Sequence, residues 1–251
     1  MKRLIYFLCG LFCSYATANG VVSAPVLSVP VYSYHLKPPL IIDDQEQKGL
    51  YFDFVNYLNS SSKDYQFQLT HIPRKRIDKM LAEKELDGIL LGVNPVWFKD
   101  KQETKYLWSP RIFTDRDELV SLKETPVEYI NPDSLEGKVF GGVRGFYYFG
   151  INEIIKQQRV LRIDTVHEID LFSMLLNRRI DAAVISRSTF DYMVKINEWQ
   201  DKFHLSKKPH DIYDRRVLIP LDNEHLYHYL LPIISQMEFD EQWQSTLAKY
   251  R

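Results

Sequence analysis

Few residues in this sequence are spaced for bond-making chemistry. His225 and His228 stand three apart beside Glu224, roughly one helical turn, where imidazoles can meet a metal ion. No third ligand accompanies them, so they read as surface residues and no metal is expected. His35 and Asp53 are the remaining candidates for acid–base work, and neither belongs to a catalytic pattern. The sequence has no Gly-x-Ser-x-Gly elbow, no His-Glu-x-x-His pair and no dinucleotide glycine pattern. Gly141-Gly142-Val143-Arg144-Gly145 is glycine-rich, but no Gly-Lys-Ser/Thr follows, which excludes a phosphate loop of that kind. What remains suits binding. Arg74-Lys75-Arg76 opens a helix, where basic side chains oppose the dipole and a nearby anion would rationalise them; a solvated basic turn is the alternative. Arg144 sits in the glycine turn, facing either a ligand anion or an acidic residue of its own lobe. The residues point to a binding protein without a cofactor, not to an enzyme.

Composition narrows the setting. The 251 residues carry 32 basic and 33 acidic side chains, a net charge of −1, without the basic excess of a nucleic-acid binder. Sixteen Tyr and fourteen Phe argue against disorder. Lys2 and Arg3, the apolar run Leu4 to Cys13, and Ala16-Thr17-Ala18 form the three parts of a secretory signal peptide, with cleavage expected after Ala18. The run is too short to span a bilayer, so a periplasmic product is expected. Both cysteines, Cys9 and Cys13, lie inside that segment. Its removal would leave no thiol for disulfides, zinc or nucleophilic catalysis.

The elements that must position the binding residues follow from periodicity. Val26 to Tyr34 and Tyr65 to His71 read as strands, and Leu50, Phe54, Tyr57 and Leu58 form a helix stripe between them. Met80 to Leu91 matches Met174 to Ile185 position by position, each a helix end, a basic turn and an Asp opening an apolar strand. Such runs suit strands buried on both faces of a parallel sheet, and the duplication suggests two α/β lobes of similar build. Asp87 and Asp181 are expected to fix the strand starts, and Lys84 and Arg178 to sit at helix C-termini. Leu119 to Pro126 reads as a strand, Tyr147 to Gln158 and Thr189 to Trp199 as helices, Ile212 to Pro220 as a returning strand, and Leu226 to Lys249 as terminal helices.

In that order and spacing the chain resembles bacterial extracellular solute-binding proteins of family 3, the periplasmic type known for amino-acid uptake. The matching residues are Tyr34 with Pro38-Pro39-Leu40, Gly49 to Asp53, Pro73 to Arg76, Leu86-Asp87-Gly88, Trp108-Ser109-Pro110, Asp133 to Lys138, Gly141 to Gly145, Arg179 to Ala183 and Leu247 to Tyr250. The resemblance implies a two-lobed α/β fold of type II, each lobe a mixed, mostly parallel sheet flanked by helices. Two crossover segments would join a first lobe of residues 19–115 and 214–251 to a second of 116–213. It implies a small ligand in the cleft, amino-acid-like, aromatic or otherwise polar, a monomer, and a membrane permease of ABC type as partner. A sensor protein as partner is the alternative, and a dehydratase-like enzyme on the same fold a third reading. Ligand contacts are expected from Tyr34, Arg74, Arg76, Asn94, Trp97 and Trp108 in the first lobe, and from Arg144, Phe146, Tyr147 and Ser186 in the second.

The chain departs from the amino-acid binders at both ends of their recognition pattern. The Arg that clamps a carboxylate after the strand Ile89 to Gly92 is missing; Lys99 or Lys101 could replace it only as a point charge. An acidic residue expected after Ile185 is replaced by Ser186-Arg187. The turn after Gly145 carries Phe146-Tyr147-Tyr148, which makes the expected wall aromatic.

Overall fold

The computed structural model describes residues 26–250; the segment expected to be a signal peptide, with Cys9 and Cys13, lies outside the described residues. In chain order the strands are β1 (Leu27–Ser33), β2 (Tyr65–His71), β3 (Ile89–Val93), β4 (Leu107–Trp108), β5 (Phe113–Leu122), β6 (Val139–Val143), β7 (Leu161–Thr165), β8 (Ala182–Ser186), β9 (Phe203–Leu205) and β10 (Asp211–Ile219). The helices are α1 (Leu50–Ser61), α2 (Arg74–Ala82), α3 (Ile151–Lys156), α4 (Asp170–Leu176), α5 (Arg187–Asn197), α6 (Glu224–Gln236) and α7 (Glu241–Ala248).

The two continuous apolar runs, β3 and β8, are buried at every position, as strands covered on both faces must be. β1 lies parallel to both β2 and β3, and β6 lies parallel to both β7 and β8. The duplicated segment behaves alike in the two lobes. Lys84 and Arg178 both adopt the left-handed conformation, at φ 58° and 55°. Each ends its helix with the same bond pair, Lys84 N–H to Leu81 O and Glu85 N–H to Met80 O, against Arg178 N–H to Leu175 O and Arg179 N–H to Met174 O. Asp87 accepts from the Tyr32 hydroxyl at 2.6 Å, and Asp181 from the Val139 N–H at 2.7 Å, so each ties its strand start to the neighbouring strand.

The path β2-β1-β3-β10-β5-β8-β6-β7 runs through both lobes. The two long strands carry it across. β10 pairs with β3 through Arg216–Leu218, then with β5 through Asp211–Arg215, while β5 pairs onward with β8 through Asp117–Ser121. On the first lobe, Phe54, Leu58 and Trp243 of α1 and α7 pack on Val31, Ile89 and Val217. The second has separate clusters around Phe140 and Tyr148, and around Phe172, Phe190 and Phe203.

Two expected boundaries shift. The strand expected from Leu119 starts at Phe113, because a charged stretch, Asp115 to Glu118, occupies its first half. The helix expected from Tyr147 starts at Ile151: the Tyr148 hydroxyl donates to nothing helical but takes the Val143 N–H at 3.0 Å, and Asn152 accepts the Tyr148 N–H at 2.9 Å, holding 146–150 as a turn.

Candidate functional site

The antiparallel ribbon of 113–117 and 211–215 joins the lobes, and it is unusually charged for buried strand. Tyr213 lies opposite Asp115, and Arg215 opposite Phe113. The two-residue period therefore brings Asp115, Asp117, Tyr213 and Arg215 to one face. Arg215 is 1% exposed. It donates from Nε to Asp115 Oδ2 at 3.0 Å, from Nη1 to Gly92 O at 3.0 Å and from Nη2 to the Tyr213 hydroxyl at 3.2 Å. Asp115 also takes the Ser188 hydroxyl at 2.8 Å and the Ser188 N–H at 3.2 Å, placing an anion on the first turn of α5. Burial works to raise its pKa, but Arg215, Lys37 and Ser188 outweigh burial and hold it below the usual carboxylate range. The Tyr213 hydroxyl donates onward to Asp117 at 2.8 Å. Asp117 has no guanidinium of its own, and burial pushes its carboxyl up to about 7 against the pull of Lys37.

The first-lobe wall is aromatic. His35 follows β1, packs 4.0 Å from the Tyr34 ring centroid, and stands with Nε2 3.5 Å from Arg215 Nη1. Burial and the neighbouring Arg215 charge hold its pKa well below the ordinary histidine value, so the ring is neutral. Trp97 stands edge-on to Tyr213 at 4.7 Å. Arg74 Nη1 donates to the Tyr34 hydroxyl at 3.1 Å, Nη2 to Trp97 O at 2.9 Å, and Nε to Asp78 at 2.8 Å, with its guanidinium 4.1 Å from the Phe98 ring centroid.

Lys37 crosses to the second-lobe wall. Its Nζ donates to Glu168 Oε2 at 2.6 Å and to Ser186 Oγ at 2.8 Å. Glu168 Oε1 accepts the Ser186 N–H at 3.0 Å and lies 2.9 Å from Ser186 Oγ, and Thr189 Oγ1 donates back to Pro38 O at 2.7 Å. Ser186 Oγ also lies 3.0 Å from Thr189 Oγ1, but one hydroxyl proton serves one acceptor, and the charged Glu168 is the stronger. A cavity of about 270 Å³ opens beside the ribbon against Asp115, Arg187 and Tyr250. A larger one, about 450 Å³, lies by Asp87 and Asn223, at the opposite strand ends from these charges.

Of the residues expected at the ligand, Tyr34, Arg74 and Trp97 come together here, and Ser186 joins the Lys37 network. Asn94 caps the short turn Pro95–Phe98, accepting from Val96 N–H at 2.9 Å and reaching Asp214 O at 3.3 Å. Arg76, about 200° around α2 from Arg74, is exposed and acts on the Tyr32–Asp87 pair. Trp108 is core: it is buried with Phe98 and Leu218, and its indole N–H donates to Asp100 at 2.8 Å. Phe146 packs against both second-lobe clusters, and Tyr147 is exposed with its hydroxyl on Glu153. Arg144 is exposed at the end of β6, where its N–H donates to Thr165 O at 2.9 Å. Lys99 and Lys101 are exposed, Lys99 closing its turn at φ 54°. Of the acid–base candidates, Asp53 is tied to the Tyr250 hydroxyl at 2.8 Å.

Lys37, Asp115, Asp117, Glu168, Tyr213 and Arg215 were not expected at the site. Lys37 and Glu168 lie outside any strand, whereas for the four on the ribbon a signal was present: Thr-Asp-Arg-Asp-Glu at 114–118 and Tyr-Asp-Arg-Arg at 213–216 put charges inside strands whose flanks are apolar. Charge there costs stability unless the strand leaves a core and crosses a gap.

No protein-family model and no curated sequence matches the chain. Solved structures do. A variant of ArgBP from T. maritima superposes with a TM-score of 0.70 at 14% identity, over 89% of this chain and 94% of that one. The GluR0 ligand-binding core of Nostoc punctiforme, in complex with L-glutamate, gives 0.70 at 12% identity over 88% and 98%. The BvgS VFT2 domain of Bordetella pertussis gives 0.65 at 15% identity over 89% and 93%. With its two strand crossovers and duplicated lobes, the chain has the two-lobed type II fold of periplasmic binding proteins.

Proposed function

We propose that this chain is an exported, periplasmic solute-binding protein that captures a small ligand between its lobes and hands it to a membrane importer of ABC type, without chemistry. The observation that carries this reading is the convergence of buried charge and aromatic rings from both lobes on a two-strand ribbon. A ribbon of two strands is a narrow connection whose few residues can absorb the bending of one body against another. Structural neighbours support it, since their descriptions name arginine-binding proteins and the substrate-binding protein of an amino acid ABC transporter. The neutral, buried His35 offers no acid–base pair with Asp53, which favours binding over a dehydratase-like reaction. In this reading residues 19–115 and 214–251 move as one lobe, and 116–213 as the other.

A sensory role is the second reading, favoured by one observation: GluR0 and BvgS VFT2 are described as a ligand-binding core and a domain. In either role the ligand meets Tyr34, Arg74 and Trp97 on one wall, and Arg144 supplies an exposed cation at the rim of the other. Thermal unfolding against amino acids, aromatic acids, polyamines and short peptides tests the capture reading. A concentration-dependent rise in Tm with one class supports it, and no rise with any class refutes it. For an anionic ligand, Arg144→Ala should weaken binding several-fold; an unchanged Kd removes Arg144 from the site.

A further inference from the structure

Lys37 and Glu168 form an ion pair with both side chains 7% exposed, yet they belong to different lobes. Lys37 lies on the irregular stretch after β1; Glu168 lies between β7 and α4, and Ser186 at the end of β8. The three atoms that matter are Nζ, Glu168 Oε2 at 2.6 Å and Ser186 Oγ at 2.8 Å. Glu168 is oriented for this by the second lobe alone, because its other oxygen is bound by the Ser186 N–H at 3.0 Å. The second lobe thus holds a preformed carboxylate and hydroxyl, and the first lobe supplies only the ammonium.

We propose that Glu168 and Ser186 form a seat for a primary ammonium group, and that Lys37 is its tethered occupant. The seat takes alkylammonium ions, and an amine-bearing ligand enters only by displacing Lys37. While Lys37 is seated, it clasps the lobes together with the Thr189–Pro38 bond. The proposal rests on the cleft being the capture site, but its test does not need the natural ligand.

Lys37→Ala removes the atoms of n-propylammonium from the seat, so that ion is the probe. With propylammonium at ten times its Kd, the Tm of the full-length Lys37→Ala variant should rise by about 3–6 °C. Wild type, its seat filled, should bind the probe at least tenfold more weakly. Lys37→Met, which fills the space without charge, and Lys37→Ala/Glu168→Gln should not respond. Tetramethylammonium, which has no N–H, should fail with every variant. A response of Lys37→Ala no larger than that of wild type, or one retained in the Glu168→Gln background, overturns the seat. If Lys37→Ala does not fold, Lys37→Met/Glu168→Gln removes both charges together and is measured by solution scattering instead. A larger radius of gyration than ligand-free wild type supports the clasp, and an equal one overturns it. If the ligand screen finds nothing while propylammonium still stabilises Lys37→Ala, the capture reading fails and the seat stands.

Discussion

Replacing Arg215 by Met is the most informative perturbation of the ribbon, because it leaves Asp115 behind. Met preserves most of the volume and removes every donor of the guanidinium. Asp115 keeps the Ser188 hydroxyl and the N–H groups of Ser188 and Arg116, but loses its one ion-pair partner among the described residues. Gly92 O loses its donor as well. Breaking a buried pair from one side costs about 3–5 kcal/mol. For a chain of this length each kcal/mol moves Tm by roughly 2–4 °C, so Arg215→Met should unfold about 6–20 °C below wild type. Adding Asp115→Asn keeps an acceptor for α5 and removes the stranded charge; the double variant should recover about half of the loss. The pH dependence carries an independent sign. Asp115 has a folded pKa below its unfolded value, so its contribution is present above about 4 and is lost as pH falls through the folded value. In Arg215→Met burial acts without the guanidinium, and the carboxyl is pushed up instead. The gap in Tm between wild type and variant should therefore narrow as pH drops from 7 towards 4. A single-variant loss under about 1 kcal/mol, or a gap independent of pH, would refute the view that this pair fixes the crossover.

Asp117 should behave oppositely. Its carboxyl is pushed up to about 7, so the folded chain holds its proton longer than the unfolded chain, and its contribution to stability falls as pH rises from about 4 to 7. Asp117→Asn should gain Tm relative to wild type across that window and hold the gain above pH 7; thermal scans at several pH values that show a constant offset would contradict it. Gly92→Ala places a Cβ 1.7 Å from the Tyr51 hydroxyl at a φ of 77°, whereas Gly145→Ala at φ 84° meets nothing within 4 Å. Urea unfolding should show Gly145→Ala losing about 1–3 kcal/mol from backbone strain, with Gly92→Ala losing clearly more. Lys84→Gly and Arg178→Gly relieve two left-handed residues and should each stabilise by about 0.5 kcal/mol; a loss in either lobe counts against their equivalence.

The lobe architecture was legible because it rests on local patterns that repeat. Met80–Leu91 and Met174–Ile185 encode helix end, turn and buried strand within twelve residues each, and both fold alike down to the left-handed residue. The apolar runs of β3 and β8 announced strands covered on both faces. The site was only partly legible. Tyr34, Arg74 and Trp97 lie near elements whose ends the sequence marks, so position alone brought them close. Lys37 and Glu168 are 131 residues apart, and Asp115 and Arg215 are 100 apart, so no local periodicity connects them. Trp108 misled for a related reason. A tryptophan beside a Ser-Pro turn resembles a cleft aromatic, but Asp100 takes its indole N–H and draws it into the core.

The concentration of charge on the ribbon has an energetic consequence for motion. Closing two apolar faces would bury surface at about 25 cal/mol per Å² and leave an open form scarcely populated. Closing charged faces exchanges hydration for pairing, and these nearly cancel in buried ion pairs. Arg215, Asp115 and Tyr213 stay within the ribbon and its flanks, whereas Lys37–Glu168 and Thr189–Pro38 span the lobes. The ribbon pairs can persist through bending while the spanning contacts exchange with water. Under the proposed capture function, an equilibrium built that way is expected to lie near balance, where a ligand need only prefer the closed form by its own contacts to decide the population. Asp117 adds to that preference. Like the exposed Asp211 opposite it, Asp117 has no cationic side chain in its hydrogen bonds among the described residues, so a positively charged group reaching it would gain most in the closed, least hydrated form.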